Sequence, residues 1–295
     1  MNSTPTETPA KENRKSQGSD ESRTHIKPLS SLRCAVCRRR IRRYLPDKAK
    51  KIPLTVYEIT DSTNRRAAEY VKRGGALPAI FLSGGQTAGR GRLGRSFVSA
   101  AGAGLYISYA IPVLGADDAL KITTHAAVAV CRAIEEVSPL DCKIKWVNDI
   151  YVSGRKLSGI LAEGVTSPDR GLSAVILGIG INIKPEGIPA PLRDIATSIG
   201  GECGKAVSRD RLAARLTGNL LPLLTGDAEE FFTPESLEEY RRRSIVIGKD
   251  IRVIHGEDEY PARATGITDA GALTVVREDG TPETLSTGEI TVRLR

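Results

Sequence analysis

Apolar residues along the chain follow two rhythms, one of period two and one of helical period, broken by glycine-rich and polar punctuation. Residues 54–59 (LTVYEI) read as a strand. Asp61 or Ser62 can cap a helix running to about Arg73, which Gly74 and Gly75 then end. Residues 79–83 and 105–111 are apolar strands on either side of a loop rich in Gly and Arg. From Asp117 a long helix is predicted, with Leu120, Ala127, Val130, Ile134 and Val137 spaced as one buried face. Strands follow at 143–146, 149–152, 156–163 and 174–183, with Ser153-Gly154 as a hairpin turn. Two helices are predicted near 208–224 and 234–243. The last fifty residues alternate as short strands at 251–254, 262–266, 273–277 and 290–294, with Asp279-Gly280 as a turn, and read as a small separate β-barrel. Strands, then helices, then strands again imply an α+β fold rather than a doubly wound sheet.

Charge changes this picture through its location. The formal net charge is +8. Residues 1–50 carry 13 basic and 5 acidic side chains, and the rest of the chain 30 of each. The basic character belongs to the leading segment, which weakens a nucleic-acid reading of the globular part. The stretch up to Asp20 is rich in Ser, Thr, Pro, Glu and Lys and reads as disordered. Residues 34–45 (CAVCRRRIRRYL) leave room for one short helix, and a solubilising tail is expected there. A winged-helix or helix-turn-helix domain needs several helices around a core. The expected organisation is therefore a disordered basic segment over 1–50, a larger domain over 51–244 and the barrel over 245–295. No run is apolar enough to span a bilayer, and the polar start lacks a secretory signal. Five irregularly spaced cysteines argue against a disulfide scaffold and for a reducing, cytoplasmic setting. Cys34 and Cys37 form a lone CxxC, two ligands short of a structural zinc site, and the three histidines show no zinc-type spacing with it.

Three segments carry candidate chemistry. In GRGRLGR (89–95), glycines allow close backbone approach and arginines offer permanent charge in a planar fork. The composition alone fits a nucleic-acid tract equally well, but its place between two apolar strands favours a loop that closes over an anionic ligand. In KWVND (145–149), Asp149 suits Mg²⁺ and Asn148 suits a ligand, or both simply make turn bonds. Strand alternation puts Lys156, Ser158 and Ile160 on one face, which would aim Lys156 into a site. A lysine guarding a strand edge is the other reading, and the residues alone lean towards it. The strand around 176–183 holds Gly178 and Gly180, marks of close approach, and Asn182, which needs partners if buried. Neither a dinucleotide fingerprint nor a GxxxxGK[ST] loop occurs, so any nucleotide is bound in another way.

Taken together and in order, Ser62-Thr63-Asn64, Gln86, GRGRLGR, KWVND, the hairpin lysine of GRKLSGILAE (154–163) and GIGIN (178–182) resemble the biotin–protein ligase family, from about Val56 to the C-terminus. The resemblance implies a class II synthetase-like catalytic domain, with a mixed β-sheet and flanking helices, followed by an SH3-like barrel. It implies activation of biotin by ATP with Mg²⁺ to biotinyl-5′-AMP, then transfer to a lysine of a biotin carboxyl carrier domain. Lys156 would bridge the biotin carboxylate and the α-phosphate, and Arg92 would hold the phosphate. Ser62, Thr63, Asn64, Gln86, Arg90 and Gly91, with Arg92 and Lys156, match positions around biotin. Arg95, Asn148, Asp149 and Asn182 match positions on the ATP side, and no metal ligand set is fixed. Two departures stand out. Val147 replaces the usual proline, freeing a backbone N–H and loosening the turn. Phe97 replaces the usual tryptophan, keeping an aromatic face without the indole donor. A lipoate or octanoate ligase is the nearest alternative, and a biotin-binding regulator without ligase activity the next. The residues before Ile52 leave no room for a DNA-binding domain, so no specific DNA binding is expected. Dimerisation through sheet edges is compatible with the resemblance.

Overall fold

The computed structural model describes residues 1, 36–113, 118–167, 171–286 and 290–294. The expectations for the stretch up to Asp20, for Cys34 and for Asp117 lie outside these residues. Two short helices, α1 (Arg38–Tyr44) and α2 (Asp47–Lys50), precede β1 (Leu54–Tyr57), α3 (Thr63–Lys72), β2 (Ala79–Ser83) and β3 (Gly104–Pro112). The long helix α4 (Asp118–Glu135) leads into β4 (Lys143–Lys145), β5 (Asp149–Val152), β6 (Arg155–Ser167) and β7 (Gly171–Asn182). Helices α5 (Ile199–Cys203), α6 (Arg209–Asn219), α7 (Leu221–Thr225), α8 (Ala228–Phe231) and α9 (Pro234–Arg243) follow. The chain then forms β8 (Asp250–His255), β9 (Asp258–Ile267), β10 (Leu273–Arg277), β11 (Pro282–Leu285) and β12 (Ile290–Leu294).

Strands β1 to β7 make one sheet in the order β1-β2-β3-β7-β6-β5-β4. Only β1 and β2 run parallel; the other neighbours are antiparallel, so the sheet is mixed as an α+β fold requires. Both faces are covered, and the continuous apolar run of β2 shows why. Ile80 and Leu82 enter the main core, while Ala79 and Phe81 join a second cluster with Ala67 of α3. A strand buried on both faces needs apolar residues at every position. Strands β8 to β12 form a second, antiparallel sheet in the order β11-β10-β9-β8-β12, consistent with the expected barrel. Gly280 turns at φ 85°, and Asp279 Oδ1 accepts the Thr281 N–H at 2.9 Å, joining β10 to β11. The β9–β10 connection docks on the larger domain. Trp146 Nε1 donates to Gly271 O at 3.0 Å and Arg241 Nε to Ile267 O at 2.9 Å.

Ordered structure begins ahead of Ile52, which corrects the expected tail. The surrounding charges conceal an apolar stripe: Ile41, Leu45 and Ala49 recur every fourth residue and, with Val36, are buried in the main core. Helix α1 packs against α6, and the Cys37 N–H donates to Asp210 Oδ1 at 2.9 Å.

 Burying such a stripe holds a seven-residue helix that would not persist alone in water. Ile41→Ala is expected to cost about 2–5 kcal/mol, read as a lower urea midpoint. A loose tail would show no change. Among the described residues, no helix is long and apolar enough to cross a membrane.

Candidate functional site

The first part of the site is the start of α3. Burial alone would raise the Asp61 carboxyl, but bonds from Arg66, the Ser62 N–H, Arg65 and Thr60 outweigh it and hold the group well below the usual carboxylate range. This anchored carboxylate fixes the entry to the helix, where Ser62, Thr63 and Asn64 are all buried. Gln86 Oε1 accepts the Thr63 N–H at 2.8 Å, and Gln86 Nε2 donates to Ser99 Oγ at 2.9 Å. The Ser108 hydroxyl lies 2.6 Å from Asn64 Oδ1 and 2.7 Å from Thr63 Oγ1. Asn64 Nδ2 donates to Glu163 Oε2 at 2.7 Å. The side chains of Thr63, Asn64 and Gln86 are therefore held in set orientations before any ligand arrives. The two strand glycines make room for it. A β-carbon on Gly178 would collide with Asn64 Oδ1, and one on Gly180 would sit 2.6 Å from the Phe97 ring.

The GRGRLGR segment folds as a tight hairpin over this cradle. The Gly91 N–H donates to Arg95 O at 2.7 Å, and the Phe97 N–H to Gly89 O at 2.9 Å. At its tip Leu93 and Gly94 both take positive φ, 55° and 69°. Two arginines tie it down: Arg90 pairs with Glu163 at 3.1 Å, and Arg92 Nη1 donates to Asn148 Oδ1 at 3.2 Å. Burial pulls the Arg92 guanidinium below its usual value, against the opposing charge of Asp149. Such a partly desolvated cation interacts strongly with an incoming anion.

The third part is the β5–β6 hairpin. Ser153 and Gly154 turn at φ 50° and 76°, as the expected two-residue turn requires. The register then shifts: Ile150 faces Ser158, but Tyr151 faces Lys156. Leu157 is the extra residue of a β-bulge, and this corrects the expected alternation of Lys156, Ser158 and Ile160. The Lys156 side chain instead runs over Gly159, whose β-carbon position is 3.3 Å from Lys156 Nζ. Bulges re-aim side chains in this way. Lys156 Nζ lies 2.6 Å from Asp149 Oδ1, and Asn148 Nδ2 donates to Ile160 O at 2.7 Å.

One cavity of about 190 Å³ is lined by Ser62, Thr63, Asn64, Gln86, Arg90, Gly91, Arg92, Arg95, Asn148, Asp149 and Lys156. Phe97, Tyr106, Lys145, Trp146, Gly178 and Gly180 line it too. Asn182 is the exception among the expected residues. It is not in the lining, and its Nδ2 donates to Thr197 O at 3.0 Å. Sequence reasoning missed Ser108 and Glu163. Glu163 had a signal: a carboxylate in an apolar central strand needs partners, and it finds Asn64 and Arg90. No group of three or more His, Cys, Asp or Glu suited to a metal occurs among the described residues. Mg²⁺ is commonly held by one or two carboxylates together with substrate phosphates, and Asp149 is a cavity carboxylate that fits that use.

Residues 56–182 match the biotin/lipoate A/B protein ligase family, and residues 246–293 match the biotin protein ligase C-terminal domain. The bifunctional ligase/repressor BirA of Bacillus subtilis is 32% identical over 232 residues, spanning 77% of this chain and 70% of that protein. The biotin--[acetyl-CoA-carboxylase] ligase of Mycobacterium tuberculosis is 31% identical over 227 residues, spanning 75% of this chain and 82% of that one. The solved biotin protein ligase from Aquifex aeolicus in complex with biotin and ATP superposes with a TM-score of 0.69 at 26% identity, covering 82% of this chain and 99% of that chain. The fold is that of a protein ligase of the biotin/lipoate class. Within that class, the chain belongs to the biotin–protein ligase family.

Proposed function

We propose that this protein activates biotin with ATP and transfers it to a lysine of a biotin carboxyl carrier domain. The observation that carries the reading is a single cavity that joins the polar cradle of Thr63, Asn64 and Gln86 to the cluster of Lys156, Arg90, Arg92 and Arg95. The cradle suits an uncharged polar ring system, which needs oriented donors and acceptors. The cationic cluster suits two anions that must meet. In the first step a biotin carboxylate oxygen attacks the α-phosphorus of ATP, the bond to pyrophosphate breaks, and biotinyl-5′-AMP forms. The barrier is electrostatic, and preorganised cations lower it most where charge develops. Lys156 lines the cavity beside Asp149 and bridges the carboxylate and the α-phosphate. Arg92 holds the phosphate, with Arg95, Asn148 and Asp149 on the nucleotide side. Mg²⁺ bound with ATP would neutralise phosphate charge beside Asp149. Asn182 lies outside the cavity lining and takes no part in this step; its Nδ2 serves Thr197. In the second step the carrier lysine attacks the acyl carbon as a neutral amine, AMP leaves with the bonding electrons, and the new amide loses a proton. The four cysteines among the described residues are free thiols, which suits a reducing cytoplasm.

The test is exchange of labelled pyrophosphate into ATP, with biotin and lipoate in parallel. Exchange with biotin alone is expected. Exchange with lipoate or octanoate would move the activity to the sister ligases. Biotin binding without exchange would leave a regulator.

A further inference from the structure

We propose that Glu202 is a positioning residue for Lys156, acting through residues 195–197, which clamp the backbone of the lysine. The inference rests on the ligase reading above for what Lys156 does, but the clamp itself is observed directly. Strand β6 has β5 on one side and β7 on the other. Strand β7 ends at Asn182, and its pairing with β6 ends at Ser158. Beyond that point Lys156 would face an open sheet edge. Residues 195–197 fill it: the Lys156 N–H donates to Ile195 O at 2.9 Å, and the Thr197 N–H donates to Lys156 O at 2.8 Å.

This strip is held by side chains. Asn182 Nδ2 bonds Thr197 O at 3.0 Å from the end of β7. The Thr197 hydroxyl donates to Glu202 Oε1 at 2.6 Å. The same carboxylate takes Arg155 Nη2 at 2.7 Å and Ser153 Oγ at 2.9 Å. One carboxylate thus joins the strip, the hairpin tip and the residue before Lys156. Its side chain is 10% exposed. Burial would raise the Glu202 carboxyl, but the bonds from Thr197, Ser153 and Arg155 outweigh it, and the group is held below its usual value. Glu202, Thr197 and Ser153 are absent from the cavity lining, so none of them is placed to touch substrate there. Their effect reaches the reaction through the placement of Lys156. A shift of about 1 Å in a reacting group can cost 10²-fold in rate.

The experiment uses the full chain and compares Glu202→Ala, Glu202→Gln and Thr197→Val with wild type. Biotin-dependent pyrophosphate exchange gives kcat and KM, and amide hydrogen exchange reads the Lys156 N–H. Glu202→Ala is expected to lower kcat roughly 10- to 100-fold, with KM for biotin little changed and faster exchange at Lys156. Glu202→Gln keeps one oxygen to accept from the Thr197 hydroxyl and Arg155, places a donor NH2 where the other oxygen accepted from Ser153, and should recover much of kcat. Thr197→Val removes one hydroxyl while keeping shape and backbone bonds, and serves if Glu202→Ala fails to fold. It should lower kcat and protection together. Unchanged kcat and protection in the variants, with an active wild type, would overturn the proposal alone. Loss of kcat together with KM and thermal stability, without recovery in Glu202→Gln, would also overturn it by making Glu202 merely structural. A wild type without biotin-dependent exchange would sink the ligase reading and the proposal with it.

Discussion

Lys156→Ala is expected to lower biotinyl-adenylate formation by about 10³-fold or more while the protein stays folded. Removing one preorganised charge-stabilising group typically costs about 10²–10³-fold. Here the loss is compounded, because Lys156 Nζ lies 2.6 Å from Asp149 Oδ1. Without the ammonium, that carboxylate faces the incoming phosphates uncompensated. The fold survives because the bonds of Lys156 to Ile195 and Thr197 use only the backbone. Lys156→Arg keeps the charge but replaces a compact ammonium with a planar fork, so partial activity is expected. Rapid-quench measurement of adenylate in a single turnover, beside a urea melt, checks both halves. A normal adenylate burst from Lys156→Ala would remove the residue from the catalytic role.

Most of the larger domain was legible because its elements are strongly periodic. The run at 79–82 is apolar at every position since β2 is covered on both faces. Elements that lack such periodicity were missed. Helix α5 contains Gly200 and Gly201, poor helix formers, and is started by Ser198, whose side chain accepts the Gly201 N–H. Strand β11 reads PETL and buries only Leu285, leaving no alternation to see. Helix α1 was masked by its own charge. Five arginines in seven residues read as a solvated tail, and only tertiary packing reveals that Ile41 is the residue that counts.

The site residues were legible as types, and their mutual placement was not. Lys156 reaches the cavity, but through a bulge at Leu157 that simple alternation cannot anticipate. Gly178 and Gly180 do mark close approach, yet what approaches is Asn64 and Phe97 from remote parts of the chain. Phe97 in place of the family tryptophan packs its ring over Gly180, so the aromatic face is used. At Val147 the expected loosening is not what the local contacts show: the residue is buried and its carbonyl accepts the Tyr240 hydroxyl at 3.0 Å. Asn182 makes the bond to neighbouring backbone that was one of its two readings.

Arg92→Gly is expected to let the intermediate escape. The hairpin over the cavity is tied to the opposite wall by Arg92 Nη1 on Asn148 Oδ1 at 3.2 Å. The substitution removes that tie and the phosphate contact proposed for the same guanidinium. It also places glycine at 91, 92 and 94, which raises the entropy cost of holding the loop closed by about 0.5–1 kcal/mol. A hydrogen bond to a charged group is worth about 1.5–3 kcal/mol. Together these correspond to release of biotinyl-5′-AMP faster by roughly 30- to 700-fold, at tenfold per 1.4 kcal/mol. The adenylate is a mixed anhydride that acylates any exposed neutral amine it meets. Incubation with biotin, ATP and a bystander protein lacking a carrier domain should therefore label bystander lysines with the variant and not with wild type. The hairpin should also be cleaved by protease in the variant under conditions where biotin plus ATP protect wild type. If label stayed confined to the carrier domain and adenylate release were unchanged, retention would have to come from the cradle and not from the loop, and the closure argued here would lose its purpose.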